Sequence, residues 1–256
     1  MSRLRVITIC VTVVAGLGGG SASAQNCFLF FCQQQPRWQA TPPPEPDRRD
    51  EGAPPFSGGP DHRYSTMYAA IDGEPFPVPA LQLSEVDPTY LRTSVYYRTS
   101  EAPGTIVIDP QRHFLYLVEG GGRAIRYGVG VGRAGFGWSG IATVRNKQQW
   151  PDWYPPKEMI ARQPEIRRVM SELQSGLGMH GGARNPLGAR ALYLWQGNKD
   201  TLYRIHGTIE PWTIGKNVSS GCIRMINQDV IDLYERTPAG AKVVVVSSRA
   251  GTLRSE

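Results

Sequence analysis

Between residues 104 and 131 the chain alternates short apolar runs with turns rich in glycine and proline, and this pattern limits the fold more than any other feature. Residues 105–108 and 113–118 have the length and the β-branched or aromatic content of strands, and the turn between them contains Pro110. Residues 119–122 form a second turn, and residues 123–131 alternate small and apolar side chains as a third strand. Short strands separated by such turns predict an antiparallel β fold.

The following segments add two more strands and one helical stretch. Residues 157–174 carry apolar side chains at helical spacing and are interrupted at Pro164, so they predict a broken helix. Residues 191–195 and 202–205 predict strands joined by a hairpin turn at residues 197–200. His206 therefore falls at the end of a strand.

The last segments place a helix between a loop and a final strand. Asn227 is predicted to cap a helix that residues 238–240, with their proline and glycine, bring to an end. Residues 242–246 predict a last buried strand. The predicted fold class is thus mainly β with a few short helices.

The first 24 residues have the features of an export signal. Arg3 and Arg5 precede an apolar run from residue 6 to residue 17, and small residues at positions 22–24 supply a cleavage pattern. The run is short for a membrane span. A cleaved signal peptide is the prediction, with an uncleaved amino-terminal anchor as the alternative, and no stable membrane span is expected after cleavage.

Composition predicts the remaining boundaries. Many of the 21 prolines fall in residues 25–100, so this part is predicted to be a proline-rich linker or strap that is largely disordered. The catalytic domain is predicted at residues 101–248 and a tail at residues 249–256. The formal charge of +6 suits a protein near an anionic polymer. No basic stripe is interleaved with aromatic residues, which argues against a nucleic-acid partner.

Cysteine usage leaves one thiol without an evident partner. Cys10 is removed with the predicted signal, and Cys27 and Cys32 are close enough in sequence to pair in an oxidising compartment. Cys222 then remains, and an unpaired cysteine in an exported protein indicates either an intermolecular bond or a reactive thiol. The alternative is an inert buried cysteine.

Cys222 has a candidate base sixteen residues upstream, His206. An imidazole can convert a thiol to the nucleophilic thiolate. Gly221 lets the backbone approach a substrate closely, and N–H groups around it are placed to face an oxyanion. The carbonyl of Gly207 is a candidate to orient the imidazole. A zinc site made of Cys222, His206 and His180 is the weaker alternative, because no spacing typical of zinc ligands is present.

Residues 130–135 match the dinucleotide fingerprint G-x-G-x-x-G, but their context does not. The fingerprint requires a helix that opens at its third glycine, whereas residues 136–140 have the composition of a loop. A glycine-rich strand end is the preferred interpretation.

Several motifs together resemble the L,D-transpeptidase family, whose catalytic domain is of the YkuD type. The matching segments are residues 128–138, 150–156, 185–194, 206–207 and 219–225. They span roughly residues 104 to 247, and several ordered motifs are more specific than any one alone. The resemblance implies a YkuD-like β-sandwich or barrel that acts on peptidoglycan.

The resemblance also implies a mechanism without a cofactor or metal. The thiolate of Cys222 attacks the carbonyl of the L-configured centre of diaminopimelate in a tetrapeptide stem, and His206 protonates the departing D-alanine. The thioester then passes to an amine, giving a 3–3 cross-link or an attached envelope protein, or to water, giving a carboxypeptidase outcome. The implied partner is the peptidoglycan stem peptide, and the implied location is the periplasm.

Further residues are candidates for substrate binding. They are His180, Asn185, Tyr193, Ser219, Ser220 and Arg224. Ser219 is also placed to hydrogen-bond the catalytic loop, and Arg224 pairs either with a substrate carboxylate or with a structural partner. Many family members have a histidine where this chain has Ser220, which bears on the geometry of the oxyanion loop.

Three functions fit these residues. The first is acyl transfer on peptidoglycan, the second is a cysteine peptidase or amidase with the same pair, and the third is a non-catalytic wall-binding module. The third would be indicated by loss of the cysteine or the histidine, and both are present. The acyl acceptor stays open.

Overall fold

A computed structural model describes residues 62–133, 138–219 and 221–247. The predicted signal peptide, the predicted pairing of Cys27 with Cys32, Ser220 and the tail at residues 249–256 lie outside the described residues.

The described residues are mainly β, as predicted. The strands are β1 Thr93–Tyr96, β2 Ile106–Asp109, β3 Phe114–Gly120, β4 Arg123–Gly128, β5 Val131–Gly132, β6 Gly140–Gln149, β7 Ser171–Leu173, β8 Gly176–Gly178, β9 Arg190–Gln196, β10 Lys199–His206, β11 Asn217–Ser219, β12 Ile223–Arg224 and β13 Lys242–Val245. The helices are α1 His62–Met67, α2 Lys157–Arg162 and α3 Asn227–Arg236, with 3-10 turns at Leu83–Glu85, Pro88–Tyr90, Pro164–Val169 and Pro211–Thr213. None of these helices is long and apolar enough to cross a bilayer.

Nine strands form one mixed sheet in the order β1-β4-β3-β2-β13-β6-β9-β10-β12. The predicted antiparallel meander is confirmed for β2, β3 and β4. Parallel pairs occur where β13 joins β2 and where β12 joins β10. The glycine-rich segment that resembled a dinucleotide fingerprint forms β5, which pairs with β11, and the element that follows it is strand β6.

Both faces of the sheet centre are covered, which explains why the residues of β2 are apolar without alternation. Ile106 and Ile108 face the main core, whereas Val107 belongs to a second cluster on the opposite face. Helix α3 covers the main-core side with Val230 and Leu233, which are fully buried.

Residues 62–92, here called the strap, pack against the sheet domain. Tyr64 and Tyr68 join Ile214 and Ile226 in one buried cluster. The prediction of large-scale disorder in residues 25–100 is therefore wrong for residues 62–100. Prolines shorten the elements of this part, but its aromatic and aliphatic side chains bury enough surface to order it.

Two local predictions are also wrong. The helix expected over residues 157–174 stops at Arg162, continues as a 3-10 turn from Pro164 and gives way to β7 and β8, because proline cannot donate the hydrogen bond that continues a helix. Asn227 does not cap α3, since Ile226 occupies the cap position. The Asn227 side chain accepts instead from the N–H of Ala189, 3.0 Å away, and ties α3 to β9.

A buried carboxylate joins the strap to α3. Asp229 is fully buried, accepts a hydrogen bond from the Tyr68 hydroxyl at 3.1 Å and lies 3.6 Å from the Arg92 guanidinium. Burial raises its pKa to about 7, while Arg92 and the Tyr68 hydrogen bond oppose the rise. Arg92 retains a second ion pair with Asp232 at 2.7 Å.

Asp229→Asn is expected to gain stability relative to the native chain as pH rises from 5 to 8. The raised pKa means that ionisation of Asp229 opposes folding, and this cost appears as pH rises towards 7 and disappears below the unfolded value near 4. The shift corresponds to a few kcal/mol at most. Urea unfolding of both chains at pH 5 and pH 8 measures the difference. A stability difference that stays constant with pH contradicts the expectation.

Candidate active site

The candidate base ends strand β10, and the candidate nucleophile immediately precedes β12, the neighbouring parallel strand. The register of β10 and β12 pairs Ile205 with Ile223 and His206 with Arg224. Ile205 and Ile223 both face the main core, and side chains alternate along a strand. Cys222, one residue before Ile223, therefore faces the side that His206 faces. The register brings the two residues to one side of the sheet.

His206 is held in one tautomer by the backbone. Its ring is buried, and Nδ1 lies 2.6 Å from the carbonyl oxygen of Gly207, so Nδ1–H donates and Nε2 is left as the basic nitrogen. Burial lowers the pKa of His206 to about 4 against the opposing effect of this hydrogen bond, and the charges of Arg224 and Arg204 lower it further. The imidazole is consequently neutral at physiological pH.

Cys222 is a half-buried free thiol. Burial raises its pKa, while a backbone hydrogen bond at Arg204 and the charges of Arg204 and Arg224 act in the opposite direction. The resting thiol and imidazole are therefore both neutral, and a neutral imidazole can act as a general base. The same two guanidinium groups act on both members of the pair.

A bulge in β10 lies against the thiol. The register with β9 shifts between Asp200 and Arg204, and Leu202 within the bulge has a φ of 64°. The carbonyl oxygen of Leu202 lies 4.0 Å from the Cys222 sulfur. Bulges often re-aim side chains beside active sites, and this one turns the backbone of β10 towards the nucleophile.

Ser219 fixes the loop that carries the thiol. Its hydroxyl donates to the Cys222 carbonyl at 2.6 Å and accepts from the N–H of Gly221 at 3.1 Å. Gly221 has a φ of 124°, a conformation open to glycine. Ser219 is buried, and its hydroxyl makes the predicted hydrogen bond to the catalytic loop; its predicted contact with substrate stays a prediction.

Arg224 forms the structural ion pair that was one of its two predicted roles. Its guanidinium lies 2.8 Å from the Glu210 carboxylate. Its backbone N–H donates to Gly130 at 2.8 Å, and its carbonyl accepts from Gly130 at 2.9 Å. The pair ties the loop after His206 to the strand after Cys222.

Arg204 is a site residue that the sequence analysis missed. It makes two hydrogen bonds to Asp200, at 2.7 and 2.8 Å, and its guanidinium lies 4.3 Å from the centre of the Tyr193 ring. The spacing of four residues is typical of a helical ion pair, and only the bulge makes it close on a strand. Tyr193 is half-buried and donates to Gln148 at 2.6 Å, so it lines the site beneath Arg204.

The loop over residues 176–188 supplies one exposed and one buried candidate. His180 is largely exposed, and its Nδ1 lies 3.4 Å from Asp152. Asn185 is fully buried and donates to the carbonyls of Pro151, Met179 and His180 at 3.0–3.2 Å. The amide of Asn185 thus holds the loop, and its predicted contact with substrate stays a prediction.

Among the residues that the structure describes, no three His, Cys, Asp or Glu side chains are grouped closely enough to hold a metal ion. His180 pairs with Asp152 and lies largely in solvent, so it does not complete the three-ligand site considered from the sequence.

Comparison with known proteins gives one family and several relatives. Residues 103–245 match the family model of the L,D-transpeptidase catalytic domain, YkuD. The probable L,D-transpeptidase YbiS of Escherichia coli K12 is 31% identical over 144 residues, which cover 55% of this chain and 43% of that protein. The putative L,D-transpeptidase YkuD of Bacillus subtilis 168 is 48% identical over 62 residues, 24% of this chain and 37% of that protein.

A solved structure from Brucella melitensis is 51% identical and covers 64% of this chain and 99% of its own, with a TM-score of 0.42. That protein is described as a probable carnitine operon oxidoreductase. The present chain spans less than half the length of the curated relatives named above.

Proposed function

Because the chain belongs to the L,D-transpeptidase family defined by the YkuD catalytic domain, we propose that it transfers acyl groups on peptidoglycan with Cys222 as nucleophile. The observation that carries this proposal is the arrangement of His206. Its Nδ1 is fixed by Gly207, its ring is neutral, and the register of β10 with β12 brings it to the side of the sheet that Cys222 faces.

The acylation step follows from this geometry. Nε2 of His206 takes the thiol proton while the sulfur of Cys222 bonds to the carbonyl carbon of diaminopimelate in a tetrapeptide stem. The tetrahedral intermediate collapses as the bond to D-alanine breaks, and the imidazolium returns the proton to the departing amine. The products are a thioester on Cys222 and free D-alanine, with His206 neutral again.

The second step regenerates the thiol. An amine attacks the thioester, loses a proton to His206, and the sulfur leaves and is protonated. A second stem peptide as acceptor gives a 3–3 cross-link, and an outer-envelope protein gives an attached protein. Water gives the carboxypeptidase outcome, so the pair itself does not choose the acceptor.

The developing oxyanion needs a donor from the loop around Cys222. The N–H of Gly221 already donates to Ser219 at 3.1 Å. We therefore assign the oxyanion to the N–H of Cys222. Ser219 contributes by holding this loop through its bond to the Cys222 carbonyl.

The proposal includes export to the periplasm, supported by the apolar run and small residues within positions 6–24. Peptidoglycan, the proposed substrate, lies outside the cytoplasm.

The test uses the chain without residues 1–24. We expect incubation with a carbapenem to increase the intact mass by one drug molecule, and peptide mapping to place the adduct on Cys222. Incubation with disaccharide-tetrapeptides is then expected to release D-alanine and to form a 3–3 dimer. Release of D-alanine without a dimer indicates the carboxypeptidase alternative. Absence of both the adduct and D-alanine release contradicts the proposed acyl transfer and favours a non-catalytic wall-binding module.

The rate of carbapenem acylation is expected to stay nearly constant from pH 8 to pH 5 and to fall only near pH 4. The reason is that the pKa of His206 is lowered to about 4, so the base stays neutral over this range. Stopped-flow measurement of acylation across pH gives the profile. A midpoint near 6.5, the value of an unperturbed histidine, contradicts the expectation.

His206→Gln serves as the control for this profile. The amide cannot accept the thiol proton at any pH, so the limb near pH 4 should vanish and the plateau should fall by about 10²–10⁴-fold. An unchanged plateau would remove His206 from the mechanism.

A further inference from the structure

A groove of ≈ 480 Å³ lies between the strap and the residues that follow the catalytic pair. One wall is strap residues 77–85, the other is the loop at residues 208–212, and the floor includes Ile226. Its volume falls in the range of roughly 300–1,000 Å³ that is usual for small-ligand sites.

The lining of the groove includes residues that closely follow the proposed catalytic pair in the chain. Thr208 lines it two residues after His206, and Ile226 lines it four residues after Cys222. At about 3.3 Å per residue, the Cα atom of Ile226 lies at most about 13 Å from that of Cys222. The loop that forms its wall is also joined to the site, because Glu210 pairs with Arg224.

The strap wall is built before any ligand arrives. The Gln228 side chain, buried on α3, donates to the strap carbonyls of Tyr68, Ala69 and Pro79 at 2.9–3.4 Å. The strap is thereby fixed at the edge of the groove, and the ordering cost of binding is reduced.

The lining presents an aromatic face beside a hydrogen-bond acceptor. Trp212 is 47% exposed and Ile209 is 41% exposed, so both offer apolar surface to a ligand. Glu85 is the charged residue of the lining and lies in the exposed part of the strap. An anionic ligand is therefore disfavoured, and a neutral ligand with apolar faces and O–H or N–H donors is favoured.

We propose that the groove binds the glycan strand of peptidoglycan, with an N-acetylated sugar ring stacked on Trp212 and its donors directed to Glu85. This inference rests on the proposed function. The reacting carbonyl belongs to the third stem residue, so three extended residues, about 10 Å, separate it from the sugar. That length agrees with the distance of the groove from Cys222.

A proline-rich peptide is the competing occupant, and the lining favours it less. Such a segment offers carbonyl acceptors and few donors, so it requires donors from the groove. The indole N–H of Trp150 is engaged with Glu74 at 2.8 Å, and the amide of Gln228 is engaged with the strap.

The experiment measures binding of tetra-N-acetylchitotetraose, a peptide-free glycan, to the chain carrying Cys222→Ala. Isothermal titration is expected to show saturable binding. Trp212→Ala should weaken it at least tenfold, and Glu85→Gln should weaken it severalfold. The matched control is Tyr96→Ala, which removes an aromatic ring that is 48% exposed on the distant strand β1 and should leave the affinity unchanged.

The outcomes separate this inference from the proposed function. Carbapenem adduct formation without glycan binding contradicts the glycan site but leaves the proposed acyl transfer standing. Glycan binding that Trp212→Ala and Glu85→Gln leave unchanged has the same consequence. Glycan binding without any adduct contradicts the proposed acyl transfer and supports the glycan site in the groove. Binding of a peptide with the sequence of residues 33–61 in place of the glycan also overturns the inference. In turnover, the KM for a disaccharide-tetrapeptide should be lower than the KM for the free tetrapeptide. In the Trp212→Ala variant the two KM values should become similar.

Discussion

Cys222→Ala is expected to abolish the covalent carbapenem adduct and the release of D-alanine completely. The methyl group cannot form the thioester, and the nearby hydroxyl of Ser219 is buried and bonded to the loop backbone, so it cannot substitute. Intact-mass spectrometry after overnight incubation measures the adduct, and the native chain in parallel gives the reference.

The fold should survive this change. Cys222 is half-buried, and its sulfur makes only a long contact with the Leu202 carbonyl oxygen, 4.0 Å away, among the described residues. We expect the free energy of unfolding to change by no more than about 1 kcal/mol. Cys27 and Cys32 remain in the variant, so an adduct that persists must be mapped. Its location on either cysteine marks nonspecific reaction, whereas an unmodified native chain contradicts the nucleophile assignment.

The chemistry of the site was accessible from sequence because it depends on residues close in order. The roles proposed for His206, Gly207 and Cys222 come from a local motif, and the hydrogen bond from His206 to Gly207 needs only adjacent residues. The strands that hold them follow from local apolar runs. The parallel pairing of β10 with β12 could not be predicted, because register depends on partners far along the chain.

The strap and Arg204 show why other features of the fold and of the candidate site could not be predicted from the sequence. Proline content suggested disorder, but order in the strap comes from long-range contacts such as Tyr68 with Asp229, 161 residues apart. Arg204 meets Asp200 because a bulge shifts the strand, and a bulge leaves no strong mark in a single sequence. Asn185 was assigned to substrate from its motif, and its buried amide binds the loop backbone.

Glu74→Ala is expected to lower the free energy of unfolding by about 3–5 kcal/mol. Arg190 is buried on β9, and its guanidinium makes hydrogen bonds of 2.5 and 2.8 Å to the strap residue Glu74. Removal of the carboxylate leaves a buried positive charge without its partner, which is the costly case for ion pairs. The indole N–H of Trp150 loses its acceptor in the same step.

Thermal and urea unfolding measure this effect. For a domain of this size the expected loss corresponds to a fall in Tm of roughly 6–20 °C. Glu85→Ala is the matched control, because it removes an exposed carboxylate from the same strap and should change stability by less than about 0.5 kcal/mol. An equal effect of the two substitutions, or no effect of Glu74→Ala, contradicts the stabilising role given to the Glu74–Arg190 pair.

The double substitution Glu74→Leu with Arg190→Met separates charge from packing. Replacing both partners of a buried pair with apolar groups is often neutral or stabilising, since no charge is then left without a partner. We therefore expect the double variant to recover most of the stability that Glu74→Ala loses. Because the carbonyl of Arg190 accepts from the N–H of Gly207 at 3.1 Å, that recovery should extend to the backbone that orients His206. A double variant as unstable as Glu74→Ala would instead mean that the ion pair itself holds the strap to the sheet.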